Sequence, residues 1–233
     1  MKIAKKNNLK VLEDNCESMG ARYGKKFLGT IGDLGVVSYD FGKTITCGEG
    51  GMILTNNKLI DKYAREYHDH GHQLNPRYPR GQDTVKIVGF NYRMTEMQGL
   101  VGKEQLKKLN KIVSENESRY KAVEKRIKNL TTLREQPENS KQIYDTLIIT
   151  VKNTHLRRKI VKLLNKEKFG TKNLPDAIKW HCAYFWQHAL PKKQIKRIKK
   201  TKIILQNSIA IPIWLRKSVK DYDNLGKKIS KIF

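Results

Sequence analysis

Cysteine is nearly absent. Cys16, Cys47 and Cys182 make an odd number with no CxxC spacing, which argues against a disulfide framework or a cysteine-rich zinc site and points to a reduced, cytoplasmic setting. Long apolar runs are missing too. No stretch reaches 18 residues, so no membrane-spanning helix is expected. The first fifteen residues, MKIAKKNNLKVLEDN, are basic and lack the apolar centre of a signal peptide. No internal repeat or low-complexity linker interrupts the chain.

Acidic side chains are scarce, 22 against 48 lysines and arginines, and the formal charge is +26. Residues 1–140 hold 25 basic and 17 acidic groups, residues 141–233 hold 23 and 5. Such asymmetry is one mark of a nucleic-acid or anionic-membrane partner. Lysine outnumbers arginine 36 to 12, however, and arginine is the residue favoured for bidentate phosphate and base contacts. With no nucleic-acid-binding motif present, the charge reads as a solvated surface, and no nucleic-acid partner is expected.

What is present suits a folded enzyme-sized domain. The 233 residues, 38% hydrophobic and 30% charged, suffice for one large domain or two modest ones with a real core. Residues 1–9 read as the end of a helix and LKVLEDN (9–15) as a short strand ending in carboxylates. GARYGKKFLGTIGD (20–33) is a glycine-rich excursion. LGVVSYDF (34–41) and GMILTNN (51–57) read as strands joined by GKTITCGEGG. Helical spacing follows at Lys58–His70, then a long loop over residues 71–93, of the kind that often carries function. Helices are expected over Met94–Leu109, with Leu100, Leu106 and Leu109 on one face, and over Val113–Leu130. A second unit begins near residue 131, with a strand at 143–151, a helix at 155–167, a basic helix at Lys192–Leu205, a strand at 210–214 and a last helix. With the linking helix it takes in residues 113–233, leaving 1–112 as the first domain. Alternating strands and helices argue for an α/β fold.

Four groupings are candidates for chemistry. GKT (42–44) lacks the glycine that a phosphate-binding P-loop needs at position 37, where Val37 stands. His68-Asp69-His70-Gly71-His72 alternates histidines, but nothing completes a zinc site, and a polar loop near a substrate is preferred, with no metal. PKKQIKRIKKTK (191–202) has no interleaved aromatics for base stacking and reads as a solvated helix face with Ile195, Ile198 and Ile203 turned inward. The fourth joins Asp14 at a strand end, Ser38 in the next strand, Lys43 in the loop after it and Gly48-Glu49-Gly50-Gly51. Residues at strand ends of an open α/β sheet face the ligand crevice, and a lysine beside a carboxylate and a hydroxyl suits a cofactor held through an amine. On spacing alone, a surface lysine in a polar loop remains the simpler reading.

The stretch VLEDNCESMGARYGKKFLGTIGDLGVVSYDFGKTITCGEGGMILTNN closely resembles the core of the DegT/DnrJ/StrS sugar aminotransferases, which use pyridoxal phosphate on the fold type I architecture. Their pattern is an aspartate at a strand end, a serine five residues before the cofactor lysine, then GEGG and a strand. GFNYRMTEMQGLVGKEQLKKL (89–109) is similar to the next family signature. The resemblance implies a cofactor-binding large domain with a mixed sheet, ending near residue 112, and a smaller C-terminal α/β domain. It makes Lys43 the cofactor lysine and proton carrier, Asp14 the partner of the pyridine nitrogen and Ser38 a phosphate ligand. Glu17 stands near the cofactor ring where the family usually has Gln or His, and Tyr39 where Phe is usual. Asn91 would reach the partner subunit's cofactor, implying a homodimer with shared sites. Family dehydratases carry histidine in place of the lysine, so Lys43 implies transamination, from L-glutamate to a keto-sugar, nucleotide-linked or a keto-octulosonate. His70, His72, Trp180 and His181 are the candidates for contact with the sugar. Full-length relatives have further segments before the first strand, so the chain is expected to be the C-terminal portion of a longer enzyme. A chain that only keeps the fold, and a basic nucleic-acid-binding module, are the alternatives.

Overall fold

In the computed structural model, which describes residues 1–79 and 81–233, the chain divides into two compact units. The first comprises residues 1–110 and 138–143. It contains α1 (Lys2–Lys6), β1 (Leu12–Asp14), β2 (Arg22–Tyr23), β3 (Lys26–Phe27), β4 (Leu34–Ser38), β5 (Gly51–Leu54), α2 (Lys58–His68) and α3 (Glu96–Lys107). The central sheet has the order β1-β4-β5. β1 runs parallel to β4, with Asp14 opposite Val36. β5 runs antiparallel to β4, with Ser38 opposite Gly51. The mixed sheet and the alternation of strands and helices are as expected.

Local chemistry explains each element. Alternation along β4 buries Gly35 and Val37 on one side, as period-two patterning dictates. α2 starts where Asn57 Oδ1 accepts the amides of Leu59 and Ile60. α3 starts at a reciprocal cap between Thr95 and Gln98. The glycine-rich excursion holds the β2–β3 hairpin, and β2 also pairs with the later β7 (Ser140–Lys141).

The expected apolar face of the helix over 94–109 is not a buried one. Leu100 and Leu106 are exposed at 63% and 44%. The packed face is instead Gln98, Gly102 and Gln105, where Gly102 lets the helix approach Cys47. Leu109 falls beyond the helix end at Lys108 and packs on Gly20.

The second unit comprises residues 111–137 and 144–233. The expected boundary at 112/113 lies inside α4 (Leu109–Ile127). There follow β6 (Thr132–Leu133), β8 (Thr146–Thr150), α5 (Thr154–Lys166), α6 (Ile178–His181), α7 (Lys192–Arg197), α8 (Lys199–Gln206), β9 (Ser208–Pro212) and α9 (Val219–Ser230). The antiparallel sheet β6-β8-β9 supplies Leu147, Ile149, Ile209 and Ile211 to a core completed by Val123 and Ile127 of α4, Ile160 and Leu164 of α5, and Tyr222, Leu225 and Ile229 of α9. In α4 the buried positions Val113, Asn116, Tyr120, Val123 and Ile127 recur at alternating three- and four-residue steps, one stripe of a helix.

The basic helix expected over Lys192–Leu205 is two helices, broken at Ile198 (φ −100°, ψ 16°). Lys192, Lys196 and Lys200 repel one another at four-residue spacing, and no acidic residue intervenes. The break changes the register. Ile195 is buried, Ile198 is half-buried and Ile203 is 51% exposed rather than turned inward. Among the described residues no helix is long and apolar enough to cross a membrane.

Candidate functional site

The sequence candidates in the first unit fall into two groups. The first gathers around the C-terminal ends of β1 and β4. Asp14 closes β1, and its Oδ1 accepts the amide of Cys16 at 3.2 Å. Hydrogen bonds from the Cys16 thiol and amide, then the nearby Lys43 charge, hold the Asp14 carboxyl below its ordinary value. An aspartate two residues before its backbone donor at a strand end is an Asx turn, a signal present in the sequence at Asp14-Asn15-Cys16. The chain then turns, and Glu17 forms an ion pair with Lys43 Nζ.

Lys43 lies on a loop clasped at its base. Tyr39 N donates to Gly50 O at 2.8 Å, Cys47 N to Tyr39 O at 3.1 Å, and Thr46 Oγ1 to the same carbonyl at 3.0 Å. Tyr39 itself is buried, its hydroxyl 3.0 Å from Met52 Sδ, and burial pushes its pKa up. Gly50 has φ +140°, and a Cβ there would stand 2.5 Å from Met94 Cε, so the loop demands glycine at that point. Inside the clasp, Ser38 Oγ accepts from Asp40 N at 3.2 Å and Asp40 Oδ2 from Gly42 N at 3.0 Å. The Lys43 side chain is mostly covered, 19% exposed. Burial works against its ammonium form, but the Glu17 carboxylate outweighs burial, and the amine sits above its ordinary pKa.

Next to this group lies an anchor that sequence reasoning missed. Glu13 accepts the amides of Gly29 at 2.8 Å and of Ile31 and Gly32 at 2.5 Å each. Opposite it in register stands Gly35, where a Cβ would meet Gly29 O at 2.1 Å. A bare Cα and a carboxylate thus seat the turn over residues 29–32 against the strands that carry Asp14 and Ser38.

The second group lies at the end of α2 and in the long loop. Asp69 and Asn91 form an isolated antiparallel bridge. Asn91 Oδ1 accepts Arg93 Nε at 3.1 Å, and Arg93 Nη1 reaches the buried Asp69 at 3.0 Å. His70 is exposed, with φ +58°. His72 is half-buried, its ring 6.2 Å from that of His70. Among the described residues no group of three or more His, Cys, Asp or Glu could hold a metal ion. Trp180 and His181 belong to the second unit, on α6, where Trp180 is 81% exposed and the neighbouring Cys182 is buried.

A family model described as the DegT/DnrJ/EryC1/StrS aminotransferase family matches residues 1–230. Among curated proteins the chain is similar to a GDP-perosamine synthase of Escherichia coli O157:H7, 34% identical over 146 residues, which cover 63% of this chain and 38% of that protein. Among solved structures it resembles an aminotransferase from Psychrobacter cryohalolentis, with TM-score 0.80 and 23% identity, covering 98% of this chain and 64% of that one. It also resembles the E. coli GDP-4-keto-6-deoxy-D-mannose-3-dehydratase with bound hydrated PLP, with TM-score 0.74 and 23% identity, covering 98% and 62%. The chain therefore spans less than two thirds of the length of these relatives, and it shares the fold of the two solved structures over nearly all of its own length.

Proposed function

The chain belongs to the DegT/DnrJ/EryC1/StrS aminotransferase family, and from that premise we propose that it serves the pyridoxal-phosphate-dependent transfer of an amino group from an amino acid, L-glutamate, to a keto-sugar. The sugar is nucleotide-linked or a keto-octulosonate, destined for cell-surface polysaccharide or amino-sugar synthesis. The observation that carries the reading is the covered Lys43 amine, ion-paired to Glu17 and within electrostatic reach of Asp14 at the strand ends.

The donor set fits that cofactor. An exposed carboxylate held in its ionised form at Asp14 suits a protonated ring nitrogen. The Ser38 hydroxyl suits a phosphate oxygen, and Lys43 offers a primary amine to an aldehyde. Glu17 faces the same space. When bound, pyridoxal phosphate supplies the electron sink that lets an amino group leave one carbon and join another. In this reading Asp14 keeps the ring nitrogen charged, Ser38 orients the phosphate, and Lys43 Nζ anchors the cofactor and then moves a proton at the reacting carbon. A dehydratase among the structural neighbours raises loss of a hydroxyl as the competing outcome. The primary amine at position 43 favours amino transfer.

We assign Asn91 to the cofactor of a second copy, which makes the working unit a homodimer with shared sites. Asn91 is exposed, and its chain neighbours Phe90 and Tyr92 stack their exposed rings at 5.6 Å, a surface that supports contact with another chain. His70, His72, Trp180 and His181 are assigned to the keto-sugar.

The test is incubation with pyridoxal phosphate, reduction with borohydride and peptide mapping. The reading expects one pyridoxyl group on Lys43 and its loss in Lys43→Ala. A reduced adduct on another lysine, with Lys43 unmodified, overturns it.

A further inference from the structure

Lys43 and Glu17 are unequal partners. The lysine side chain is 19% exposed, the glutamate 65%. Four titratable groups face the amine. Asp14, Cys16 and Glu17 come from the end of β1 and the turn after it, and Asp40 comes from the lysine's own loop. Asp14 is already engaged by Cys16, and Asp40 by Gly42. Glu17 has Lys43 as its one hydrogen-bond partner among the described residues. A solvent-exposed carboxylate with no other hydrogen-bond partner among the described residues, reaching over a covered ammonium, is a counter-charge held for that amine.

The geometry points to Glu17 as a positioning residue that keeps Lys43 charged and fixed in place, and that must release it before the amine can form a bond to carbon. This rests on the reading of Lys43 as the cofactor lysine. The release is a proton transfer. Lys43 Nζ gives up one proton to solvent, leaving a neutral amine, and the Glu17 carboxylate swings away from it. Only the neutral amine, with its free electron pair, adds to an aldehyde carbon, and water leaves as the C–N bond forms. Burial favours that neutral form. Glu17 opposes it with the closest negative charge. The pair thus acts as a brake on an amine that its covered position would otherwise leave reactive, and the brake is set by a residue from a different segment of the chain.

The consequence is readable without turnover. Trace acetic anhydride labels neutral amines as acetate leaves. Labelling each lysine between about pH 6 and pH 10, followed by mass-spectrometric mapping, gives a titration of Lys43 beside that of the exposed Lys2. Three proteins are compared: the parent chain, Glu17→Gln, which keeps the shape and drops the charge, and Glu17→Asp, which keeps the charge. The expected result is that Glu17→Gln shifts the Lys43 profile to lower pH. It should also raise labelling at a fixed neutral pH by roughly twofold to fivefold, the factor an ion pair with one exposed member allows. Lys2 should not change, and Glu17→Asp should stay close to the parent. A Lys43 profile in Glu17→Gln that coincides with the parent, or moves to higher pH, overturns the proposal.

A second arm separates this from the cofactor reading. The same three proteins are treated with pyridoxal phosphate and borohydride. Reduced adduct on Lys43 in the parent, forming at lower pH in Glu17→Gln, supports both ideas. Adduct on Lys43 with no shift between variants sinks the role of Glu17 and leaves the cofactor lysine standing. Adduct confined to other lysines sinks the cofactor reading, and the acetylation profile still judges the ion pair.

Discussion

Glu13 and Gly32 are joined by a 2.5 Å hydrogen bond from the glycine amide to the glutamate carboxylate, and the same carboxylate takes Ile31 and Gly29. Burial raises the Glu13 pKa, but the amides of Gly32, Gly29 and Ile31 together outweigh burial and hold it below the ordinary 4.5. A lowered folded-state value means a contribution to stability that is complete above about pH 4.5. It is lost as pH falls through the folded value. Replacing the carboxylate by an amide leaves three donors competing for one acceptor. Glu13→Gln is expected to cost about 1–2 kcal/mol in urea unfolding at neutral pH. Its stability should depend less on pH below 5 than the parent's, by about as much as this one group contributes. Parallel pH profiles for the two proteins would count against the clamp.

Gly35 makes room for the turn that Glu13 holds. Gly35→Ala puts a methyl group 2.1 Å from Gly29 O, a backbone atom that yields only if the whole turn lifts. Destabilisation of about 1–3 kcal/mol is expected. Once the turn has lifted, Glu13 has little left to hold, so the double variant should lose less than the sum of the singles. Strict additivity in denaturation would show that the two residues act apart.

In the second unit the hydroxyl of the fully buried Tyr222 donates to Pro212 O at 3.0 Å and accepts Trp214 N at 2.6 Å. Burial pushes its pKa up to about 12, so the bridge persists through ordinary buffers. Tyr222→Phe keeps the ring's packing on Phe169 and strands two backbone groups. The expected loss is about 1–3 kcal/mol, unchanged between about pH 6 and pH 9. An unaltered urea midpoint would mean that water replaces the hydroxyl.

If Asn91 serves a neighbouring copy, activity can be restored by mixing. An Asn91→Ala chain and a Lys43→Ala chain, each inactive alone, form heterodimers in which both lesions fall on one site and the other site is intact. Up to half of the parent rate per heterodimer is expected in an amino-transfer assay. Heterodimers proven by mass and devoid of activity would place Asn91 on its own chain's cofactor.

The readable and unreadable parts of this molecule divide by the reach of the interactions. TLIIT and LGVVS announce strands through β-branched residues and alternation, and the Val113–Ile127 stripe announces a helix, because both patterns are local. Asp14 and Ser38 were visible as strand residues and Lys43 as the lysine of the loop after them. The Glu13 clamp was not, since its partners are backbone amides 16 to 19 residues away and an amide leaves no mark in sequence. The pairing of Glu17 with Lys43 bridges 26 residues and depends on how two turns face each other. Ile203 was misread because apolar spacing across 195, 198 and 203 assumes one unbroken helix, and the chain breaks at Ile198. The two-residue strands β6 and β7 are too short to carry a period.

The clasp at the base of the Lys43 loop has a kinetic meaning. Tyr39, Cys47 and Gly50 close a small ring of chain, with the Tyr39 N–Gly50 O bond extending the β4–β5 register by one position and the Cys47 N–Tyr39 O bond closing the ring. The ring is also held by the buried side chains of Tyr39 and Ile45, so its hydrogen bonds break together, when those side chains leave the core. Deuterium should enter the amides of Tyr39 and Cys47 together. The amine that the proposed chemistry depends on is mounted on a segment tied to the core at both ends of its ring, so moving that segment as a whole costs buried surface.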